Sequence, residues 1–263
     1  MKTGWFSLFV AIVLGGCAAQ PGTQPAGQDS AAMESASPRA RVHTELAALY
    51  YTRRQFAISL QELQEALQAD GAYAPAYNMS GLVHAELLED KQAEADFLRS
   101  LELAPQYAEA HNNYGYFLCT RKRRDEAMAQ YELAWKNPLY PTPERALANA
   151  GLCALRAGNL DEAENYAKRA LVRAEYQPQA TLVMAEIHLR RGNAPMARSL
   201  LRQVEAHGGL DAGALWLAVK VERASGNREA EASYGLQLRR SYPEAPETAW
   251  LLNSQYDMPG DRP

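Results

Sequence analysis

Similar residues return every 34 positions through most of this chain, and that interval limits its possible folds more than any other feature. Block 40–73 carries Ala47, Tyr50, Ser59, Leu63, Ala66 and Gly71. Block 74–107 carries Gly81, His84, Ala93, Phe97, Ser100 and Pro105 on the same frame. Block 108–141 carries Gly115, Leu118, Ala127, Tyr131 and Ala134, with Pro138 one residue early. After two extra residues, block 144–177 gives Gly151, Ala154, Ala163, Ala167 and Ala170, and block 178–211 gives Ala185, His188, Ala197, Leu201, Val204 and Gly209. A fixed period of this size, with small, aromatic and proline residues at set offsets, marks a solenoid of stacked supersecondary units. Solenoids bind far more often than they catalyse.

Each block holds two stretches of 3.6-residue periodicity, which predicts two helices joined by a turn. A small residue stands at place 8 of each of the five blocks (Ala47, Gly81, Gly115, Gly151, Ala185) and another at place 20 (Ser59, Ala93, Ala127, Ala163, Ala197). Small side chains on facing helices let their backbones approach closely. Gly158-Asn159, Gly192-Asn193 and Gly226-Asn227 mark turns, since glycine takes the left-handed conformation that ends a helix. Pro105 and Pro243 close the second helices because proline cannot continue one.

This pattern resembles the tetratricopeptide repeat over residues 40–243. The resemblance implies an all-α, right-handed superhelical solenoid of about six antiparallel helix pairs within 37–245. The sixth block, 212–245, keeps Gly226 and Pro243 but has Glu231 at place 20. Either its register shifts to Ala230 or Ala232, or it is a degenerate cap. In the C-terminal part, 246–263, the stretch from Pro246 to Asn253, with Trp250, Leu251 and Leu252, reads as a short helix covering the last apolar face. Phe97, Tyr131, Tyr50 and Trp135 fall at helix-packing places and read as core.

The N-terminus is of another kind. Lys2, an apolar run from Trp5 to Leu14, and small residues before a cut predict a secretory signal over 1–16; the run is too short to span a bilayer about 30 Å thick. The sequence Leu14-Gly15-Gly16-Cys17 is similar to a bacterial lipoprotein signal, which implies that Cys17 becomes the acylated first residue. Three acyl chains satisfy the two-signal requirement for stable anchoring. Ala18 after the cysteine, where an aspartate would imply inner-membrane retention, implies export to the outer membrane. The Ala, Gln, Gly, Pro and Ser composition of the following residues, within 17–36, cannot build a core and predicts a flexible tether. Ser37-Pro38 then starts a helix, serine as N-cap and proline at the first helical position.

With 27 basic and 31 acidic residues the net charge is −4, and no nucleic-acid partner is expected without a concentrated basic surface. Cys119 and Cys153 lie on the first helices of neighbouring repeats. An exported protein allows a disulfide between them, but the geometric window is narrow and the reading adopted is two buried thiols. No zinc spacing, phosphate-binding loop or nucleophile motif is present, so no enzyme activity, metal, cofactor or small-molecule substrate is expected. His84 and His188 fall at place 11, a packing place, and His111 at place 4. The run Arg121-Lys122-Arg123-Arg124 reads as a solvated turn.

Carried over residue by residue, the concave face of tetratricopeptide repeats implies a partner-binding groove. It comprises Asn78, Leu82 and Glu86; Asn112 and Tyr116; Arg145, Leu152, Leu155 and Arg156; and Leu182 and Leu189, with Ala85, Cys119, Thr120, Glu186 and Arg190 at further inner places. Leu82, Tyr116, Leu152, Leu155, Leu182 and Leu189 form an apolar stripe, which points to a partner, with Arg145, Arg156 and Arg190 on its rim to fix charges. A helix or strand laid in the groove is the expected ligand.

The lipoprotein signal, six repeats, the segment Ala108–Cys119 and the insertion Pro138-Leu139-Tyr140-Pro141 together resemble the type IV pilus biogenesis lipoproteins. That resemblance implies a pilotin: an outer-membrane, lipid-anchored, periplasm-facing protein that binds the pilus secretin and promotes its localisation and multimerisation. Pilus biogenesis and twitching motility would then depend on it. Two other functions fit a repeat lipoprotein: an adaptor in outer-membrane protein assembly, or a regulator of a peptidoglycan enzyme.

Overall fold

The computed structural model describes residues 37–256; the expected signal, Cys17 and the expected tether lie outside them. Among the described residues the chain forms thirteen helices and no strand. Six hairpins follow in order: α1 (Pro38–Thr52) with α2 (Phe56–Ala69), α3 (Ala74–Glu86) with α4 (Asp90–Leu103), α5 (Ala108–Thr120) with α6 (Arg124–Lys136), α7 (Pro143–Arg156) with α8 (Leu160–Arg173), α9 (Pro178–Arg190) with α10 (Ala194–Gly208), and α11 (Ala212–Ala224) with α12 (Arg228–Ser241). A short α13 (Pro246–Leu252) closes the array.

Each second helix packs on its own first helix and on the next first helix. The first helices α1, α3, α5, α7, α9 and α11 also touch in succession, and α13 continues that row. The second helices form no corresponding row, so the array curves with its first helices inside.

Places 8 and 24 set the spacing within each hairpin. Phe97 and Tyr131, both at place 24, are fully buried. A Cβ added to Gly81 would stand 2.8 Å from the Phe97 ring, and one on Gly115 would stand 2.9 Å from the Tyr131 ring. Glycine is therefore the residue that makes room for the aromatic. Where place 24 is Leu63 or Leu201, place 8 is alanine. Phe97 reaches on to Tyr114 (ring centroids 5.7 Å apart) and Phe117 (5.6 Å) of α5, which shows that place 24 faces the following first helix. Tyr50 and Trp135, expected in the core, are only half-buried, their places being nearer the solenoid surface.

The sixth block keeps the frame. Gly226 is left-handed at place 15 (φ 71°), Leu238 is fully buried at place 27, and Glu231 stays at place 20, held by Arg223 at 3.0 Å. The register does not shift to Ala230 or Ala232. Place 24 is Gly235, into whose space Leu251 of α13 packs.

Place 15 is left-handed in every repeat, but only three of the six residues are glycine. Gly158, Gly192 and Gly226 are joined by Arg54 (φ 58°), Leu88 (φ 61°) and Lys122 (φ 62°). A non-glycine residue there carries a steric penalty of about 1–2 kcal/mol. Ser37 does sit at the start of α1 with Pro38 following, but its side chain makes no capping bond.

Candidate functional site

The inner row of helices presents two polar constructions rather than a continuous apolar stripe. From α7 to α3 runs a chain of asparagine amides. Asn149 Nδ2 donates to Asn112 Oδ1 (3.0 Å), Asn112 Nδ2 to Asn113 Oδ1 (3.3 Å), and Asn113 Nδ2 to Asn78 Oδ1 (3.2 Å). The chain ties three repeats together. Buried amides need such partners, because leaving one unpaired costs about 1–3 kcal/mol. Further along, Glu186 on α9 is buried and accepts from Arg190 Nε (2.8 Å) and from Lys220 Nζ of α11 (3.1 and 3.2 Å). Arg190 also donates to the Leu155 carbonyl at 3.4 Å.

These contacts revise the groove implied by the repeat. Asn78, Asn112 and Leu155 are each 5% exposed or less. They form the floor's interior, and the amides are occupied by one another. Leu82, Leu152, Leu182 and Leu189 are half-buried and pack on core clusters between repeats. Close stacking of the first helices absorbs most of the apolar surface that the spacing assigned to a partner. Tyr116 is the stripe residue that remains open, 40% exposed. The Arg156 guanidinium lies 5.9 Å from its ring centroid, within cation–π range. Arg145 is exposed on the rim and pairs with Glu109 at 3.2 Å. Glu86 is exposed at the end of α3 and accepts from Tyr51 Oη at 3.5 Å. Burial, with the Glu86 carboxylate adding to it, pushes the Tyr51 phenol up to about 12, so it remains a donor.

Cys119 and Cys153 form a disulfide, with their Cα atoms 5.8 Å apart. The expectation of two free thiols is corrected. Places 12 and 10 of adjacent first helices come opposite one another because α5 and α7 pack side by side. The pair falls inside the Cα window for a bridge, and both cysteines are buried.

The basic run at the α5–α6 turn is not a bare cluster. Arg121 pairs with Asp90 (2.6 Å), Arg123 with Glu94 (2.6 Å) and Glu126 (2.7 Å), and Arg124 with Glu162. These pairs brace repeats two, three and four along the turn edge, with Lys122 left exposed.

Among the histidines, His84 Nδ1 bonds Asp96 (2.7 Å), His43 Nδ1 bonds Glu62 (2.6 Å), and His111 Nδ1 bonds Gln130 (2.7 Å). All three partners occupy place 23, on the second helix of the same hairpin. Burial holds the Asp96 carboxyl above the usual range, partly countered by His84. Ser80 lines the same cavity of about 410 Å³ as His84 and Asp96. Among the described residues, no three His, Cys, Asp or Glu side chains gather into a cluster able to hold a metal.

The crystal structure of PilW, a widely conserved type IV pilus biogenesis factor, is 30% identical to this chain. It superposes with a TM-score of 0.67 over 82% of this chain and 100% of PilW. The chain belongs to the type IV pilus biogenesis family of tetratricopeptide-repeat proteins. The type IV pilus assembly protein PilF of Pseudomonas aeruginosa is 29% identical over 234 residues, 89% of this chain and 91% of PilF. The solved pilF structure of that organism gives a TM-score of 0.64 over 82% and 97% of the two chains. A tetratricopeptide repeat protein from Parabacteroides merdae, 17% identical with a TM-score of 0.67, shares the fold. No protein-family model matches the chain.

In this member of the pilus biogenesis family, sequence reasoning missed the amide chain, the Glu186–Arg190–Lys220 cluster and the histidine pairs. The asparagines were legible as adjacent inner places on successive repeats (Asn112, Asn113 and Asn149). Their direction of donation was not, because it depends on how far each first helix is shifted against the next.

Proposed function

We propose that this protein is a lipid-anchored pilotin of the outer membrane, which binds the pilus secretin on its inner face and promotes secretin localisation and multimerisation. The observation that carries the reading is the likeness to PilW along the whole of that solved chain, joined to Leu14-Gly15-Gly16-Cys17 at the head of this one. Acylated Cys17 holds the solenoid at the membrane, and the inner face around Tyr116 and Arg156 holds a secretin segment. An aromatic ring beside a guanidinium suits a peptide with both an apolar side chain and a carboxylate. The protein acts by binding rather than by catalysis.

The test separates the two parts. In cells carrying Cys17→Ser, secretin multimers become scarce or leave the outer membrane on semi-native gels of fractionated membranes. Normal outer-membrane multimers in that strain rule out escort by the lipid. Tyr116→Glu, at an exposed position, weakens secretin pull-down about tenfold, as expected for an aromatic anchor, while the melting temperature is unchanged. Undiminished pull-down moves the binding surface away from the inner face.

A further inference from the structure

The C-terminal end of the solenoid carries a cleft of about 870 Å³ between α12 and α13. Its position in the repeat frame says what it is. α13 touches α11 and α12 just as each first helix touches the previous hairpin, and Leu251 packs against Gly235 at place 24. α13 thus takes the place of a seventh first helix. The six true first helices have 13–15 residues, whereas α13 has 7. It turns off at Ser254, which is left-handed (φ 54°). Tyr256 then stacks on Trp216 (5.4 Å) and lies under the Arg223 guanidinium (3.9 Å). Among the described residues, the N-terminal half of α12 lacks the helix that the repeat geometry supplies to the other second helices.

The uncovered face has a defined chemistry. Arg228, Ala232, Gly235 and Arg239 line the cleft at spacings of four, three and four, a single stripe along α12, and Glu231, also in the lining, is neutralised by Arg223 at 3.0 Å. Ala232, exposed on this face, gives a low floor on which another backbone can approach closely, up to the point where Leu251 covers Gly235. Leu252, 65% exposed, is part of the wall. Arg228 and Arg239 stand roughly 16 Å apart at the helical rise of 1.5 Å per residue. Neither forms an ion pair among the described residues, unlike Arg121, Arg123 and Arg124 at the α5–α6 turn.

We propose that this cleft is a second docking site, which takes an amphipathic helical segment of another protein with carboxylates along its polar edge. The segment extends the row of first helices over Ala232, beside the Leu251–Gly235 contact, and its carboxylates pair with Arg228 and Arg239. Charge complementarity selects an acidic edge, and the shape of the vacancy, part of a helix position flanked by α11 and α12, selects a helix. The proposal depends on neither the lipid anchor nor the secretin.

The experiment places a photo-crosslinking residue at Ala232 of the full-length protein in its native cells, with Val172, 87% exposed on α8, as the control position. The crosslinked peptide is sequenced by mass spectrometry. The expected product is a segment of a different protein with acidic residues at helical spacing. Its yield falls at least about tenfold when Arg228→Glu and Arg239→Glu are combined and is retained in Arg228→Lys with Arg239→Lys, all with unchanged thermal melting. An adduct to a second copy of this chain, to its own residues 257–263 or to a segment without acidic residues overturns the proposal. So does a yield no higher than at Val172, or one indifferent to charge reversal.

Discussion

The first three repeats and the last three hold the same hairpin by different means. In repeats four to six, the turn between helices is written locally. Gly158, Gly192 and Gly226 take the left-handed place, and Asn159, Asn193 and Asn227 cap the next helix by accepting from backbone N–H groups of Glu162, Met196 and Ala230. In repeats one to three the same places are Arg54-Gln55, Leu88-Glu89 and Lys122-Arg123, with no left-handed glycine and no side-chain cap. The left-handed region is the same and its local cost is higher. Repeats two and three carry tertiary contacts around those turns: aromatic rings packed over Gly81 and Gly115, the amide chain that runs on into repeat four, and the ion pairs of Arg121, Arg123 and Arg124. A turn can thus be specified by its own residues or imposed by the packing on either side of it.

The largest test of this contrast is Phe97→Ala. It removes a fully buried ring that joins α4 to α5, and a cost of about 3–5 kcal/mol is expected in chemical denaturation. Gly235→Ala, at the same place in the sixth repeat, costs under about 1.5 kcal/mol because only the flexible end of Leu251 must move. Equal losses would show that the two halves rely on packing alike.

Next in size is the bridge between the halves. Cys119→Ser with Cys153→Ser opens a crosslink spanning 34 residues. The loss expected from the added freedom of the unfolded chain is roughly 3–4 kcal/mol, read as a lower urea midpoint than the oxidised parent. A midpoint that is unchanged would mean that helix stacking alone fixes α5 against α7.

The smallest effects come from exchanging turn residues. Leu88→Gly removes a strained and exposed side chain, and a gain of about 0.5–1 kcal/mol is expected, the relieved strain being partly offset by a freer unfolded chain. Gly192→Leu introduces the same strain in the fifth repeat and costs about 1–2 kcal/mol. Thermal unfolding of the two variants gives shifts of opposite sign if local coding differs between the halves as described.

Much of the architecture was legible because a solenoid repeats one local problem. Place 8 with place 20, the Gly-Asn turns, and the cap with Trp250, Leu251 and Leu252 all follow from short-range sequence. The left-handed residues of the first three repeats were not legible, since Arg54, Leu88 and Lys122 have no intrinsic reason to adopt that conformation. The inner face was legible as a set of places but not as a surface. Leu155 and Leu152 look like a stripe in sequence and are absorbed to different degrees by neighbouring helices.

By itself, the sequence determined the hairpin unit, its period, the number of times it recurs and the frame of each block, because helix periodicity and small-residue places are local properties. The tertiary structure decided which inner side chains remain open, that Cys119 meets Cys153, how Asn149, Asn112, Asn113 and Asn78 are linked, and how the short α13 caps the last hairpin. Each of those depends on the displacement of one hairpin against the next, a distance set by the packing of whole helices and written at no single position in the chain.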